Sequence, residues 1–184
     1  MNARDFDVRR LDAQAFAKAA AQREGAWPLQ GFDRLRDLLA PTADGNAGNA
    51  PSSDVHWSLR GEERPVRAAP PEIWLHLGAQ AVLPLVCQRC LQPLLQPLAL
   101  QRHYQLVRGE EAAAALDGEV DHEVLALTRE LDVHDLLEDE LLLDLPLVPR
   151  HAVCPQPLPL ADEASAATPE GPFAGLAALR RESR

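Results

Sequence analysis

The three cysteines of this 184-residue chain fall in two short words. One is Cys87-Gln88-Arg89-Cys90, and the other is His151-Ala152-Val153-Cys154. Each offers two soft donors separated by two residues, a spacing that lets the backbone curl around one metal ion or one redox centre. Taken together, Cys87, Cys90, His151 and Cys154 can close a tetrahedral site with three sulfurs and one nitrogen, the set expected of structural zinc. Two other readings stand beside it. The thiols can be reduced and partly buried side chains, or they can form a redox switch. A thioredoxin-like site is disfavoured, because that motif opens a helix after a strand and this pair is flanked by prolines.

A closed site requires the fold to return His151 to the first word across some sixty residues. The local patterns show which elements could do this. Asp12 can cap a helix from Ala13 to about Glu24, with Gly25 as its stop. Phe32, Leu35, Leu38 and Leu39 mark a second short helix that ends at Pro41. From Val55 the apolar period becomes two, with Val55, Trp57 and Leu59 alternating with His56, Ser58 and Arg60. Gly61-Glu62-Glu63 reads as a turn. Ile73, Leu75 and Leu77 continue the alternation, and Val82–Val86 runs into Cys87. Leu98, Leu100, Tyr104 and Leu106 give a returning strand, so the first cysteine pair lies at a hairpin tip. Pro84, Pro93 and Pro97 predict edge or bulged positions. Glu110–Gly118 reads as an acidic loop, and Val124–Leu127 as a further strand. Asp132 caps a last helix with an apolar side of Leu136, Leu137 and Leu141 and a wet side of Glu138, Asp139 and Asp144. The expected fold class is α+β, a single domain with an antiparallel sheet and flanking helices.

The expected boundaries are one domain over residues 1–154, with a flexible loop at 41–53, a Pro/Ala-rich linker at 155–171 and an amphipathic basic tail at 172–184. In that tail Phe173, Leu176 and Leu179 share a helical face, followed by Arg180, Arg181 and Arg184.

Composition narrows the function. The formal net charge is −10 and Lys18 is the only lysine. A field of that sign repels RNA and attracts basic proteins, so any RNA contact must use a local arginine patch. Arg60, Arg64, Arg67, Arg89, Arg102 and Arg108 would form one if they shared a face, with Trp57, Trp74 or Tyr104 available for stacking. Arginines scattered over the wet side of a sheet are the alternative. The sequence has no apolar run long enough to span a bilayer. The odd, small cysteine count fits a reducing cytoplasm. His122-Glu123 lacks the second histidine of a zinc-protease motif, and there is no Gly-rich phosphate loop. Consecutive carboxylates at Glu138, Asp139 and Glu140 fan around a helix rather than converge on a substrate.

Several words together resemble a known family. They are Leu11-Asp12 through Gly25, Cys87-Gln88-Arg89-Cys90-Leu91-Gln92-Pro93, the run Leu136 to His151 with its Leu-Pro-x-x-Pro exit, and Pro172-Phe173 to Arg180. This set is similar to the YceD family of large ribosomal RNA subunit accumulation proteins. The resemblance implies a non-enzymatic ribosome biogenesis factor that supports synthesis, processing or stability of 23S rRNA. The implied partner is precursor 23S rRNA or a basic large-subunit ribosomal protein, with no membrane and no small-molecule substrate. Candidate partner-binding residues are Arg89, Glu138, Asp139, Asp144, Phe173, Arg180 and Arg181. The alternative is a zinc- or thiol-dependent RNA-processing enzyme. Leu91 stands where some relatives carry Gly, a residue that eases a tight metal knuckle.

Overall fold

A computed structural model describes residues 6–41 and 54–155. Most of the predicted loop, the segment from residue 156 and the tail with Phe173, Arg180 and Arg181 lie outside the described residues.

The period-two segments form a five-stranded sheet in the order β1-β2-β3-β4-β5. The strands are β1 (Gln22–Pro28), β2 (Asp54–Arg64), β3 (Glu72–Val86), β4 (Pro93–Val107) and β5 (Glu123–Ala126). The first four pair antiparallel, whereas β5 runs parallel to β4. In β2 the burial alternates residue by residue, with Val55, Trp57, Leu59 and Gly61 facing the core. Val55, Leu59, Leu75, Leu77, Leu83 and Leu100 are almost fully buried beneath the helices. Those helices are α1 (Ala13–Lys18), α2 (Asp33–Arg36), α3 (Glu110–Asp117) and α4 (Val133–Leu143). Together they give the α+β architecture that the sequence patterns predict.

β3 and β4 are the longest strands and pair from Ile73↔Leu106 to Val86↔Pro93. β2 covers β3 only as far as Gln80, and β5 covers β4 only at Tyr104–Val107. Beyond those limits the hairpin projects as a two-stranded ribbon. Pro84, Pro93 and Pro97 all lie there, where a missing N–H can face away from the ladder. The Pro84 carbonyl on the open side of β3 accepts from the N–H of Ala40 at 2.7 Å.

Three local expectations are corrected. The first helix stops at Lys18 instead of Glu24, and Ala20 turns the chain at φ 45° so that Gln22–Pro28 adds a strand to β2. Gly61 is not in a turn but inside β2, beneath that helix. A Cβ at Gly61 would lie 2.7 Å from both Ala17 Cα and Phe16 Cδ1, so only glycine permits this approach. Glu110–Asp117 is helical rather than looped, because its four consecutive alanines favour helix and its glutamates occupy the first turn.

Candidate metal centre

Cys87 follows directly on β3, and the chain turns through Gln88, Arg89 and Cys90 before β4 begins at Pro93. The turn is closed by Leu91 N–H to Cys87 O at 2.8 Å and Cys87 N–H to Gln92 O at 2.9 Å. Leu91 takes φ 59°, the left-handed conformation that glycine adopts without strain. The knuckle therefore forms with leucine, at some conformational cost.

The second word arrives from α4. Asp132 caps that helix by accepting from the N–H groups of His134 and Asp135. After Leu143 the Leu-Pro-x-x-Pro exit carries the chain to the hairpin tip, where Gln88 N–H donates to Pro149 O at 2.9 Å. His151 N–H then points at Cys87 Sγ, 3.4 Å away. One backbone hydrogen bond and one backbone-to-sulfur contact thus seat the His-Cys word on the knuckle before its own side chains are counted.

The four ligand atoms of Cys87, Cys90, His151 and Cys154 lie within 4.8 Å of one another. Cys87 Sγ is 4.0 Å from Cys154 Sγ, and Cys90 Sγ is 3.4 Å from His151 Nδ1. A zinc ion in a regular tetrahedron would place two sulfurs about 3.8 Å apart and a sulfur and a nitrogen about 3.6 Å apart, given the usual bond lengths. The widest pair therefore needs to close by only about 1 Å. The cysteines are all free, and a 4.0 Å approach is far from a sulfur–sulfur bond. The donor set and its spacing fit a tetrahedral ion.

Electrostatics prepare the same centre. Burial of Cys87 opposes charge on its sulfur, but N–H groups of His151, Cys90 and Arg89 outweigh it and bring the thiol down to about 5. Burial moves Cys154 the other way, reinforced by hydrogen bonds with Cys90 and Cys87. The shift at Cys87 favours its thiolate, the form in which a cysteine ligates a metal. All three cysteines are buried, so Cys87 is shielded from macromolecular substrates.

The other candidate residues are dispersed. Arg89 is exposed on the knuckle. Glu138 does not lie on a wet side: it is 5% exposed, and it accepts from the N–H groups of Arg34 and Leu35 at 2.8 and 3.0 Å. Its other oxygen meets Arg34 Nε at 3.1 Å. Glu138 thus caps α2 from a different helix. Asp139 is exposed and paired with Arg34, and Asp144 is half-buried beside Arg102. The exposed stripe of α4 is Asp135, Asp139 and Leu143.

The arginines do not share one face. Arg60 and Arg64 lie on the outer side of the sheet, whereas Arg102 points inward to Glu140 at 2.7 Å. Trp57, Trp74 and Tyr104 are buried and offer no open platform for a base. Sequence reasoning missed Glu140, which is 6% exposed and accepts from both Arg102 and Tyr104. It also missed a group on the outer face in which Glu62, His76 and His103 touch. The only available signal for the latter was the alternation of the strands, which needs the register to become useful.

No solved structure matches this chain. The sequence profile of the family described as "Large ribosomal RNA subunit accumulation protein YceD" matches residues 75–180. That span holds the hairpin, the knuckle, α4 and the returning His-Cys word, so the match covers the elements that build the centre as well as more than half of the chain. The protein belongs to the YceD family.

Proposed function

We propose that this protein is a non-enzymatic ribosome biogenesis factor of the bacterial cytoplasm, supporting synthesis, processing or stability of 23S rRNA. The family match across residues 75–180 carries the reading. Cys87, Cys90, His151 and Cys154 would hold a structural zinc ion that ties α4's exit to the hairpin tip. Zinc suits the set because four protein donors complete its coordination and leave no position for a reacting water. A second reading, a zinc- or thiol-dependent RNA-processing enzyme, rests on the depressed Cys87 thiol. Full burial of that sulfur weighs against it.

The partner would be precursor 23S rRNA or a basic large-subunit ribosomal protein. Two observations bear on the choice. The net charge of −10 favours a basic protein over the molecule as a whole. Between Gln80 and Gly109, however, the chain contains no aspartate or glutamate. The ribbon and knuckle thus offer phosphate an approach free of carboxylates on their own strands, with Arg89 exposed at the tip and Arg150 beside it.

Loss of the gene should lower the ratio of large to small ribosomal subunits in sucrose gradients. Ultraviolet crosslinking in cells, followed by sequencing of attached RNA, should recover 23S precursors if RNA is the direct partner. Unchanged subunit ratios, including in cold growth, would remove the proposal.

A further inference from the structure

The outer face of the sheet brings two histidines and a glutamate together, remote from the cysteines. His76 on β3 and His103 on β4 are directly opposed in the antiparallel register. Their Nδ1 atoms are 2.6 Å apart, and the rings meet at 67°. The other ring nitrogen of His76, Nε2, lies 2.8 Å from Glu62 Oε2. Glu62 is itself gripped by Arg64 at 2.8 Å and Arg60 at 3.2 Å. An ionised carboxylate can only accept, so Glu62 fixes the His76 proton on Nε2 and leaves the Nδ1 lone pair aimed at His103. A carboxylate behind one ring nitrogen is the usual arrangement behind a metal-bound imidazole, because it sets the tautomer and raises basicity.

Space in front of the pair is also provided. The two histidines border a cleft of about 480 Å³, whose wall includes Gln22, Glu24, Ser58 and Gln101 together with the cations Arg23 and Arg60. Gly78 lies in the floor, where a Cβ would fall 2.8 Å from Gln101 Nε2 and 2.9 Å from Ser58 Oγ. Any larger residue would crowd the cleft. Oxygen donors from the wall and from water could complete a coordination shell.

We propose that His76 and His103 form a two-imidazole site for a divalent late transition-metal ion, with Glu62 as the positioning residue. With the His76 Nδ1 lone pair facing it, His103 Nδ1 supplies a hydrogen across the 2.6 Å gap, and a cation can take that hydrogen's place. An ion bound about 2.0–2.1 Å from each nitrogen would need them about 2.9–3.4 Å apart, so the rings must open by roughly half an ångström. His103 is exposed and free to make that movement. Imidazole donors favour nickel, copper or zinc over magnesium and calcium, which prefer oxygen shells. The site lies about eleven residues along β3 from Cys87, roughly 35 Å of extended strand, and so would bind its ion independently of the knuckle.

The test is calorimetric titration with Ni²⁺ of the full chain loaded with a single equivalent of Zn²⁺, which occupies the three-sulfur set and leaves the histidine pair open. Nickel taken by the cysteines would reveal itself by a sulfur-to-nickel charge-transfer band, whereas the histidine site would give none. Ring-proton NMR identifies which histidines respond. One equivalent of Ni²⁺ that perturbs His76 and His103, with affinity reduced at least tenfold in His103→Gln and in Glu62→Gln but not in His56→Gln, is the expected result. Should His103→Gln misfold by circular dichroism, the Glu62→Gln comparison and the NMR assignment decide alone. No saturation at millimolar Ni²⁺, or affinity unchanged by these variants, would mean that the pair shares only a proton and would overturn the proposal.

Discussion

Replacement of Glu138 by Ala should be among the most damaging single changes outside the Cys87, Cys90, His151 and Cys154 cluster. Its carboxylate is nearly sealed from water and accepts three donors: the N–H groups of Arg34 and Leu35, and Arg34 Nε. Alanine would strand the Leu35 N–H in a buried setting and cut α2 from α4. An unsatisfied buried backbone donor costs about 1–3 kcal/mol. The same change takes the acceptor from the Arg34 N–H, a second backbone donor at the start of α2. The Arg34 head is half exposed and can turn to water, so its lost ion pair adds little to the cost of the two stranded N–H groups. The expected loss is about 3–4 kcal/mol, a fall in Tm of roughly 10 °C for a chain of this size. Glu138→Gln keeps an acceptor oxygen and should lose about half as much. Arg34→Ala leaves the Glu138 carboxylate its two backbone N–H donors and removes only a half-exposed guanidinium, so it should cost less than Glu138→Ala. Urea unfolding followed by circular dichroism gives all three values. Glu138→Ala within about 0.5 kcal/mol of the parent, the range typical of surface changes, would refute the capping role. So would Arg34→Ala proving the more harmful of the two.

Four further outcomes are expected. Leu91→Gly should stabilise the protein by up to about 1 kcal/mol, because the left-handed φ is relieved while an exposed side chain is lost; thermal unfolding reads the sign. Gly61→Ala should cost about 1–3 kcal/mol through overpacking against Ala17 and Phe16, measured by urea unfolding. Zinc should be found near one equivalent by elemental analysis, and its removal by a chelator should lower Tm more than Cys154→Ser alone; less than about a tenth of an equivalent would exclude a structural zinc site of ordinary affinity. Glu62 is held at about 2 by hydrogen bonds from Arg64 and His76, below the ordinary carboxylate value of 4.5. Its stabilising contribution is therefore complete above pH 4.5 and is lost as pH falls towards 2, so the gap in stability between the parent and Glu62→Gln should narrow across that window.

The parts legible in the sequence were those set by local chemistry. Strand alternation at Val55–Leu59 and Ile73–Leu77, the hairpin around Cys87 and the Asp132 cap each depend on neighbours within a few residues. Features that depended on a distant surface were not legible. Gln22–Pro28 carries no strong strand pattern and becomes a strand because the edge of β2 is open to it. α4 was read as one apolar side and one wet side, yet Glu138 and Glu140 are both buried. Two residues along a helix are about 200° apart, so these carboxylates face opposite flanks, one towards α2 and the other towards β4. A charged residue on a helix looks solvated until the partner that neutralises it is known. The His76–His103 pair was invisible for the same reason, since 27 residues separate the two and only the register brings them together.

The buried carboxylates of α4 clarify why the helix and the knuckle belong to one unit. Glu140 links α4 to Arg102 and Tyr104 on β4, and β4 leads back to the knuckle. Glu138 links the same helix to α2, just before Ala40 closes the open side of β3 at Pro84. The exit from α4 then meets the hairpin tip through Pro149 and His151. Two of these connections, Ala40 to Pro84 and the α4 exit to the tip, reach the ribbon, whereas Glu140 anchors the helix to the body of the sheet. An ion at Cys87, Cys90, His151 and Cys154 would lock the α4 exit at the far end. Without it, the ribbon beyond Gln80 has neither a β2 nor a β5 neighbour, and apart from the core packing of Leu83, Leu85, Leu94 and Leu98 its tip is held by the Pro149 and His151 contacts. A two-stranded hairpin alone is marginal in water. Metal loading should thus govern order at the acid-free, arginine-bearing end of the molecule while leaving the body of the sheet folded. Hydrogen exchange can check this directly: chelation should release protection at residues 82–98 and 147–154 but not at Leu75, Leu77 or Tyr104. Uniform loss of protection across the sheet would instead make the ion a requirement of the whole fold.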